Sequence, residues 1–459
     1  MNRREFGVIT AGALVAASAQ AADEWDQVPQ ILARIKPPSF PNRNFEMSAK
    51  YGAKGDGTTD CTEAFQKAIA ECNRAGGGRV VVPAGAWLTG AIHLKSNVNL
   101  HVSEGATIKF HTDEKKYLPL VFSRWEGTEC MNYSPFVYAL QQDNIAITGK
   151  GTLDGQSNPE HWWQWNGNAR YGWKQGMPNQ RKARTELMAM GERDVPVKDR
   201  VMGPDSYLRP QFIQPVQCRN VLIEGVNITN SPMWEINPVL CRNVIVRGVT
   251  VVSHGPNNDG CDPESCTDVW IKDCTFDTGD DCIAIKSGRN RDGRRVNVPC
   301  ENLVIQGCNM KDGHGGVTLG SEASGGIRNV FAEACKMDSP HLDRVLRLKT
   351  NAMRGGFLEN VYMRNVTAGQ VAGAAIEVDL NYEEGRNGKF MPTVRNIRVR
   401  NLTCRQSRQA MNLRGFEEAP IRDVRVENCI FEHTDRADVV EHVVGLQLEN
   451  VTINGKRAD

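Results

Sequence analysis

Asp280 and Asp281 stand side by side in TGDDCIAIKSG, the stretch from Thr278 to Gly288. Adjacent carboxylates repel, and crowded ones cannot all ionise cheaply, so at least one must hold its proton more tightly than usual. One protonated acid beside one ionised carboxylate is the combination that cleaves a glycosidic bond. Other chemistry-bearing stretches flank the pair. NNDGCD (Asn257 to Asp262) precedes it, GHGG (Gly313 to Gly316) follows, and then come VLRLKT with Arg347 and Lys349, and Tyr382. Glycines on both sides of His314 allow close approach by a ligand or a neighbouring backbone. An Arg-x-Lys pair suits a carboxylate-bearing ligand, because a guanidinium binds carboxylate in a fork and an ammonium adds a point charge.

A repeat must bring these stretches together. CRNVLIEGV (from Cys218), CRNVIVRGV (from Cys241), CTDVWIKDC (from Cys266) and CENLVIQGC (from Cys300) share one pattern: a polar residue, Asn or Asp, then alternating apolar positions. It continues from Ile327, Leu358, Val394, Ile421 and Leu448, with an earlier copy from Asp143. Strand-like alternation at this repeat length, with Asn and Gly at the corners, predicts a stacked solenoid. The expected fold is all-β: a single right-handed parallel β-helix of about ten coils, roughly 50 Å long at the usual interstrand spacing. Thr59-Asp60 with Glu63 predicts a capped helix, with Ala64, Phe65, Ala68 and Ile69 closing the open end of the solenoid. Residues 110–210 fit the repeat poorly and hold five of the nine tryptophans, so they read as a Trp-rich insertion on one domain spanning 22–459.

Strand parity then places side chains. If Ile283 and Ile285 point inward, Ala284 and Lys286 point out. On the coils that follow, Arg347 and Lys349, then Glu377 and Asp379, then Asn412 and Arg414 point out together. Lys286 and Arg414 therefore join Arg347 and Lys349 as candidate carboxylate contacts along an outer groove.

Composition narrows the partners. The net charge of +1 gives no global basic field for nucleic acid, and no apolar run is long enough for a membrane span. The N-terminus, MNRREFGVITAGALVAASAQA, combines Arg3-Arg4, a short apolar run and Ala19-Gln20-Ala21, which predicts a Tat-like signal peptide over 1–21 and export, to the periplasm or beyond. Fourteen cysteines in an exported chain would ordinarily mean disulfides. Here Cys218, Cys241, Cys266 and Cys300 fall at one repeat position and Cys274, Cys308, Cys335 and Cys429 at another, which predicts ladders of small buried thiols, and no CxxC pair signals a metal.

The set NND, GDD, GHG and RLK, in this order on a β-helix, resembles glycoside hydrolase family 28, the polygalacturonases, whose pattern is N-T-D, D-D, G-H-G and R-I-K. Asn258 stands at the Thr position and Leu348 at the Ile position. The resemblance implies a pectin-lyase-like solenoid acting on pectic galacturonan by inversion, with no cofactor. It implies Asp280 as general acid, Asp259 and Asp281 holding the attacking water, and His314 supporting protonation of the acid. Arg347, Lys349, Tyr382 and Asn257 would form the sugar subsite. Three rival readings remain: a rhamnogalacturonan or substituted-galacturonan hydrolase, a calcium-dependent lyase using the same carboxylates, and a non-catalytic glycan-binding solenoid. The insertion at 110–210 would wall off one end of the groove, which favours exo action.

Overall fold

The computed structural model describes residues 23–458; the leader expected at 1–21 lies outside them. The alternating segments form three parallel columns of strands, one strand of each column per coil. The first column starts at Asn44–Glu46 and ends at Val443–Glu449, and the second runs from Asp56–Asp60 to Thr452–Ile453. The third begins at Ile92–His93, passes through Val137–Leu140 and Ile213–Val216, and continues by single bridges at Ile236 and Cys261. It then takes in Ile283–Ile285, Val317–Gly320, Leu346–Lys349, Ala374–Asp379 and Gln409–Arg414. Register is kept from coil to coil, as in Val221↔Val244, Val244↔Val269 and Val269↔Leu303. The solenoid is therefore a parallel β-helix, and it starts earlier than the sequence repeat marks.

The Asn or Asp of each repeat explains the corner. Asn220, Asn243, Asn302, Asn329 and Asn360 sit at φ between 56° and 61°, a left-handed conformation that a short amide side chain tolerates. Their amides bond one another up the axis: Asn220 donates to Asn144 (2.8 Å), Asn243 to Asn220 (2.6 Å) and Asn360 to Asn329 (3.0 Å). All fourteen cysteines are buried free thiols, eleven of them on the coils and the others on the hairpin (Cys130), the helix (Cys72) and its cap (Cys61). They pack as small apolar groups whose S–H reaches a backbone carbonyl, as Cys266 does to Pro238 (3.2 Å).

Two N-terminal pieces finish the barrel. Helix Thr62–Arg74 buries Ala64, Phe65, Ala68, Ile69 and Cys72 over the first coils. Its cap differs from the expected capping box. Thr59 and Asp60 belong to strand Asp56–Asp60, Cys61 is the cap residue, and Asp60 Oδ1 accepts from the Thr62 amide (2.9 Å). Glu63 instead pairs with Lys67 one turn on (3.1 Å). Ahead of it, helix Gln27–Arg34 straps the outside of the first column. Trp25, Val28, Ile31 and Ile35 pack on Ala146, Leu222, Ile245, Val304, Phe331 and Tyr362. Those positions face outward by parity, and the strap explains why they are apolar.

The segment 110–210 is two insertions, not one. Residues 137–154 form a regular coil paired on both sides. The first insertion carries the antiparallel hairpin Val121–Trp125/Thr128–Asn132, and the second carries helix Arg181–Glu192 and strand Val201–Met202, which joins the hairpin. Buried ion pairs fasten them to the coils: Arg124 to Glu264 (3.4 Å) and Arg200 to Asp292 (2.7 Å). The tryptophans serve this packing. Trp162 lies edge-on to Tyr117 and Phe136, while Trp125 and Trp163 donate to the carbonyls of Arg209 and Ser231. The outer face of the third column is thus roofed rather than open, and Ala284 and Thr318 are fully buried.

Candidate active site

The roofed face holds a pocket of about 190 Å³, lined by Asn257, Asp259, Asp280, Lys286, His314, Arg347, Lys349 and Tyr382 among others. They come from successive coils, Arg347 and Lys349 from one strand, and meet along one edge. Arg347 pairs in register with Thr318 and Glu377, and Lys349 with Gly320 and Asp379. Asp259, Asp280 and Asp281 lie on the turns leading into that column, with oxygens within 4.8 Å of one another.

The two adjacent aspartates occupy opposite environments. Asp281 is fully buried, bonded to Lys349 (2.7 Å), Arg347 (3.3 Å) and the Thr318 hydroxyl (3.0 Å). Burial opposes its charge, but Lys349, Arg347 and Lys286 outweigh burial and hold its carboxyl well below the usual range. Asp280 is partly exposed, and its Oδ1 meets His314 Nδ1 at 2.8 Å and the Asp281 amide at 3.0 Å. Burial raises Asp280 as well, yet the bond to His314 and the charge on that ring bring the net shift below normal. In return, the hydrogen bond and charge of Asp280 raise His314 to about 9. The pair therefore shares one proton near neutral pH, and that proton belongs to the pair.

The glycines around His314 are sterically required. A Cβ on Gly313 would meet the Asp280 carbonyl at 2.6 Å, at a φ of 152°. A Cβ on Gly315 would lie 2.3 Å from Thr318 Oγ1. His314 N–H also donates to the Asp280 carbonyl (3.1 Å), so ring and carboxyl are locked at backbone level.

Asp259 is almost wholly buried, with Lys286 Nζ 3.6 Å from its Oδ2. Burial first, then the charges of Asp262 and Asp280, push its carboxyl well up against the pull of Lys286. Asn258 organises this turn from within. Its Oδ1 accepts from Ser253 (2.6 Å) and Gly255 (2.7 Å), and its amide donates to the carbonyls of Ser231 and Met233. An amide at this position donates to two carbonyls at once, whereas a hydroxyl has only one hydrogen to give. Asn257 lines the pocket while accepting from Arg209 (2.7 Å).

Two parity expectations fare differently. Lys286 faces the pocket but is 2 % exposed and already claimed: Nζ lies 3.3 Å from Glu322 and 3.6 Å from both Asp259 and Asp262, over the Trp234 ring at 4.4 Å. It acts first as the counter-charge of buried acids. Arg414 does not reach the pocket. It stands two strands beyond Lys349 in the same row, exposed, bonded to Asn412 Oδ1 (3.1 Å). Tyr382 offers its ring to Arg347 and Lys349 at 5.6 and 5.1 Å.

The structure adds residues that the motifs miss. Glu126 and Arg184, from the two insertions, pair at 2.7 Å and line the pocket with Arg289, Glu322 and Glu383. Arg289 bridges Glu126 (3.4 Å), Glu322 (3.2 Å) and Glu383 (3.2 Å). Glu322 and Arg289 follow directly on strands ending at Gly320 and Ile285, so charges just past a strand end were the available signal. Nothing local marks Glu126 or Arg184.

The chain as a whole is similar to known proteins. A family model described as "Glycosyl hydrolases family 28" matches residues 203–450, and one described as "Rhamnogalacturonase A/epimerase, pectate lyase-like" matches 48–116. The solved structure of a hyperthermoactive exopolygalacturonase from Thermotoga maritima is 46% identical, with a TM-score of 0.92 over 94% of this chain and 96% of that one. An exo-poly-alpha-D-galacturonosidase of Dickeya chrysanthemi is 27% identical over 89% of this chain and 71% of its own length. A probable polygalacturonase of Vitis vinifera is 29% identical over 85% and 74%. With the motif order, the coil register and the matched span in agreement, the chain belongs to glycosyl hydrolases family 28.

Proposed function

We propose that this enzyme hydrolyses α-1,4 galacturonosyl linkages of pectic galacturonan, releasing sugar from a chain end with inversion. The observation that carries the reading is three carboxylates in unequal electrostatic environments on one edge, with Arg347 and Lys349 beside them. Asp280 protonates the leaving oxygen and draws on the proton that it shares with His314. Asp259 and Asp281 hold the attacking water between them, and Arg347, Lys349 and Tyr382 orient a galacturonate. The similarity to relatives named exopolygalacturonase supports action at the chain end, and so do Glu126 and Arg184, which bring both insertions into the pocket wall. Export to the periplasm through the Tat-like segment 1–21 belongs to the same proposal, as does a single catalytic domain over 22–459.

A time course on de-esterified polygalacturonate tests the reading. Galacturonate monomer alone from the earliest points, insensitive to EDTA and absent in Asp280→Asn, is expected. A ladder of oligomers would overturn chain-end action. EDTA inhibition would point to the calcium-dependent lyase chemistry. No release would redirect the search to rhamnogalacturonan and substituted pectins. The first anomer formed, read by proton NMR, checks inversion; the other anomer would overturn it.

A further inference from the structure

Beneath the pocket lies a second layer of acids. Asp262 is fully buried and does not line the pocket, yet it shares one cation with Asp259: Lys286 Nζ stands 3.6 Å from each carboxylate. No hydrogen-bond donor reaches either oxygen of Asp262 or Oδ1 of Asp259. Two buried carboxylates on one ammonium compete for that charge, and whichever takes a proton leaves it to the other.

The groups around the pair sharpen the competition. Glu235, fully buried on the preceding coil, faces both aspartates. Its neighbour Ser253 already gives its hydroxyl hydrogen to Asn258 (2.6 Å), so Glu235 finds no donor there. A buried carboxyl without donors holds its proton. Asp281 faces the pair too, but Lys349 and Arg347 neutralise it, and Asp280 is answered by His314. Glu322 takes a share of Lys286 at 3.3 Å while Arg289 answers it at 3.2 Å, and Glu264 has Arg124 at 3.4 Å. Among these acids, only Asp259 and Asp262 rely on Lys286 alone.

We propose that Asp262 is a positioning residue that makes Asp259 the strong base of the reaction, because Asp262 draws on the one ammonium that would otherwise hold Asp259 ionised. The inference rests on the hydrolase reading above. In the step itself, an O–H bond of the water breaks and its proton passes to Asp259. The water oxygen bonds the anomeric carbon as the bond from that carbon to the leaving oxygen breaks. The leaving oxygen keeps the electron pair and takes the proton of Asp280. Asp281, anchored by two cations, orients the water and takes no proton. Burial and the opposed charges raise both Asp259 and Asp262 well above ordinary aspartates, in keeping with this geometry.

Infrared difference titration of the free enzyme tests the pair without substrate. The wild type should show a carboxylic-acid step well above the ordinary aspartate range, lost in both Asp262→Asn and Asp259→Asn because either change leaves Lys286 to the one remaining carboxylate. Glu235→Gln, which keeps a neutral group, should leave that step in place. In pH profiles of kcat/KM on a galacturonate trimer, Asp262→Asn should move the acid limb down by about one unit and lower kcat about tenfold, with KM changed less than twofold. A step that survives in whichever aspartate variant folds, or an acid limb that stays in place, overturns the proposal. A wild type that shows the step but does not turn over the trimer would sink the functional reading and leave the pair standing.

Discussion

Replacing His314 with glutamine isolates the ion pair at the mouth of the site. Nδ1 lies 2.8 Å from Asp280 Oδ1, and the imidazole is half exposed at 50%. The hydrogen bond and charge of Asp280 raise the ring from 6.5 to about 9. At ~1.4 kcal/mol per unit the ceiling is about 3 kcal/mol. Solvent screening of a half-exposed ring reduces the expectation to ~1 kcal/mol. A histidine raised in the folded state stabilises fully below its unfolded pKa, and that contribution is lost as pH rises through the folded one. Asp280, depressed from 3.8 in the same pair, adds the mirror limit, with stability lost as pH falls through its folded value. One pair energy therefore spans the window between the two. His314→Gln should be destabilised by about 1 kcal/mol at pH 6 and match the wild type by about pH 10. Urea unfolding at both pH values reads the difference directly. An equal loss at the two pH values would show that packing, not protonation, binds the ring, and the shared-proton account of Asp280 would fall.

Further outcomes follow from the same geometry. Lys349→Met removes the nearest cation from the fully buried Asp281 and should cost about 3 kcal/mol at pH 7. Because Asp281 is depressed in the folded state, the loss should persist down to its unfolded value of 3.8 and shrink only below it; urea midpoints at pH 7 and pH 3 check it. Arg184→Ala should raise KM on a galacturonate trimer about fivefold with kcat nearly unchanged, as for lost uniform binding; an unchanged KM removes Arg184 from the substrate wall. Arg414→Ala should leave kcat/KM unaltered, since its guanidinium stays outside the pocket. Ile31→Ala should loosen the N-terminal strap by about 2 kcal/mol. Limited proteolysis should then cut near residues 23–40 in the variant first, with activity retained.

Much of the catalytic edge was legible before any coordinates, because a solenoid turns sequence spacing into spatial alignment. Alternation in VLRLKT put Arg347 and Lys349 on one face, and register places that face opposite Asp281. Parity also turned Lys286 outward, but it could not reveal that three buried acids claim it. The same rule sent Arg414 outward one strand too far to matter, since parity gives the face and not the distance along the axis. The coil before Asp143 carries the same corner, with Asn97 at φ 62° accepting from Asn144 (3.1 Å), but one coil earlier Gly77 takes that place and the signature stops. Runs such as VLI at 221–223 and VIV at 244–246 are apolar on both faces because the N-terminal strap covers them, which alternation alone did not predict. Glu126 and Arg184 were invisible because insertions fold back over long distances, and no local pattern encodes where they land.

The thiol ladders give the molecule an internal ruler. Cys61 and Cys72 sit at the capped end, Cys404 and Cys429 near the other, and nine more mark the coils between them, with Cys130 in the insertion hairpin. Each is buried, so a thiol reagent reaches it only when its own coil opens. Because a solenoid coil contacts chiefly its neighbours, opening should spread inward from the ends. The order in which these sulfurs are alkylated under native conditions would then read out, coil by coil, where the structure frays and where it holds, with no label added and no residue changed.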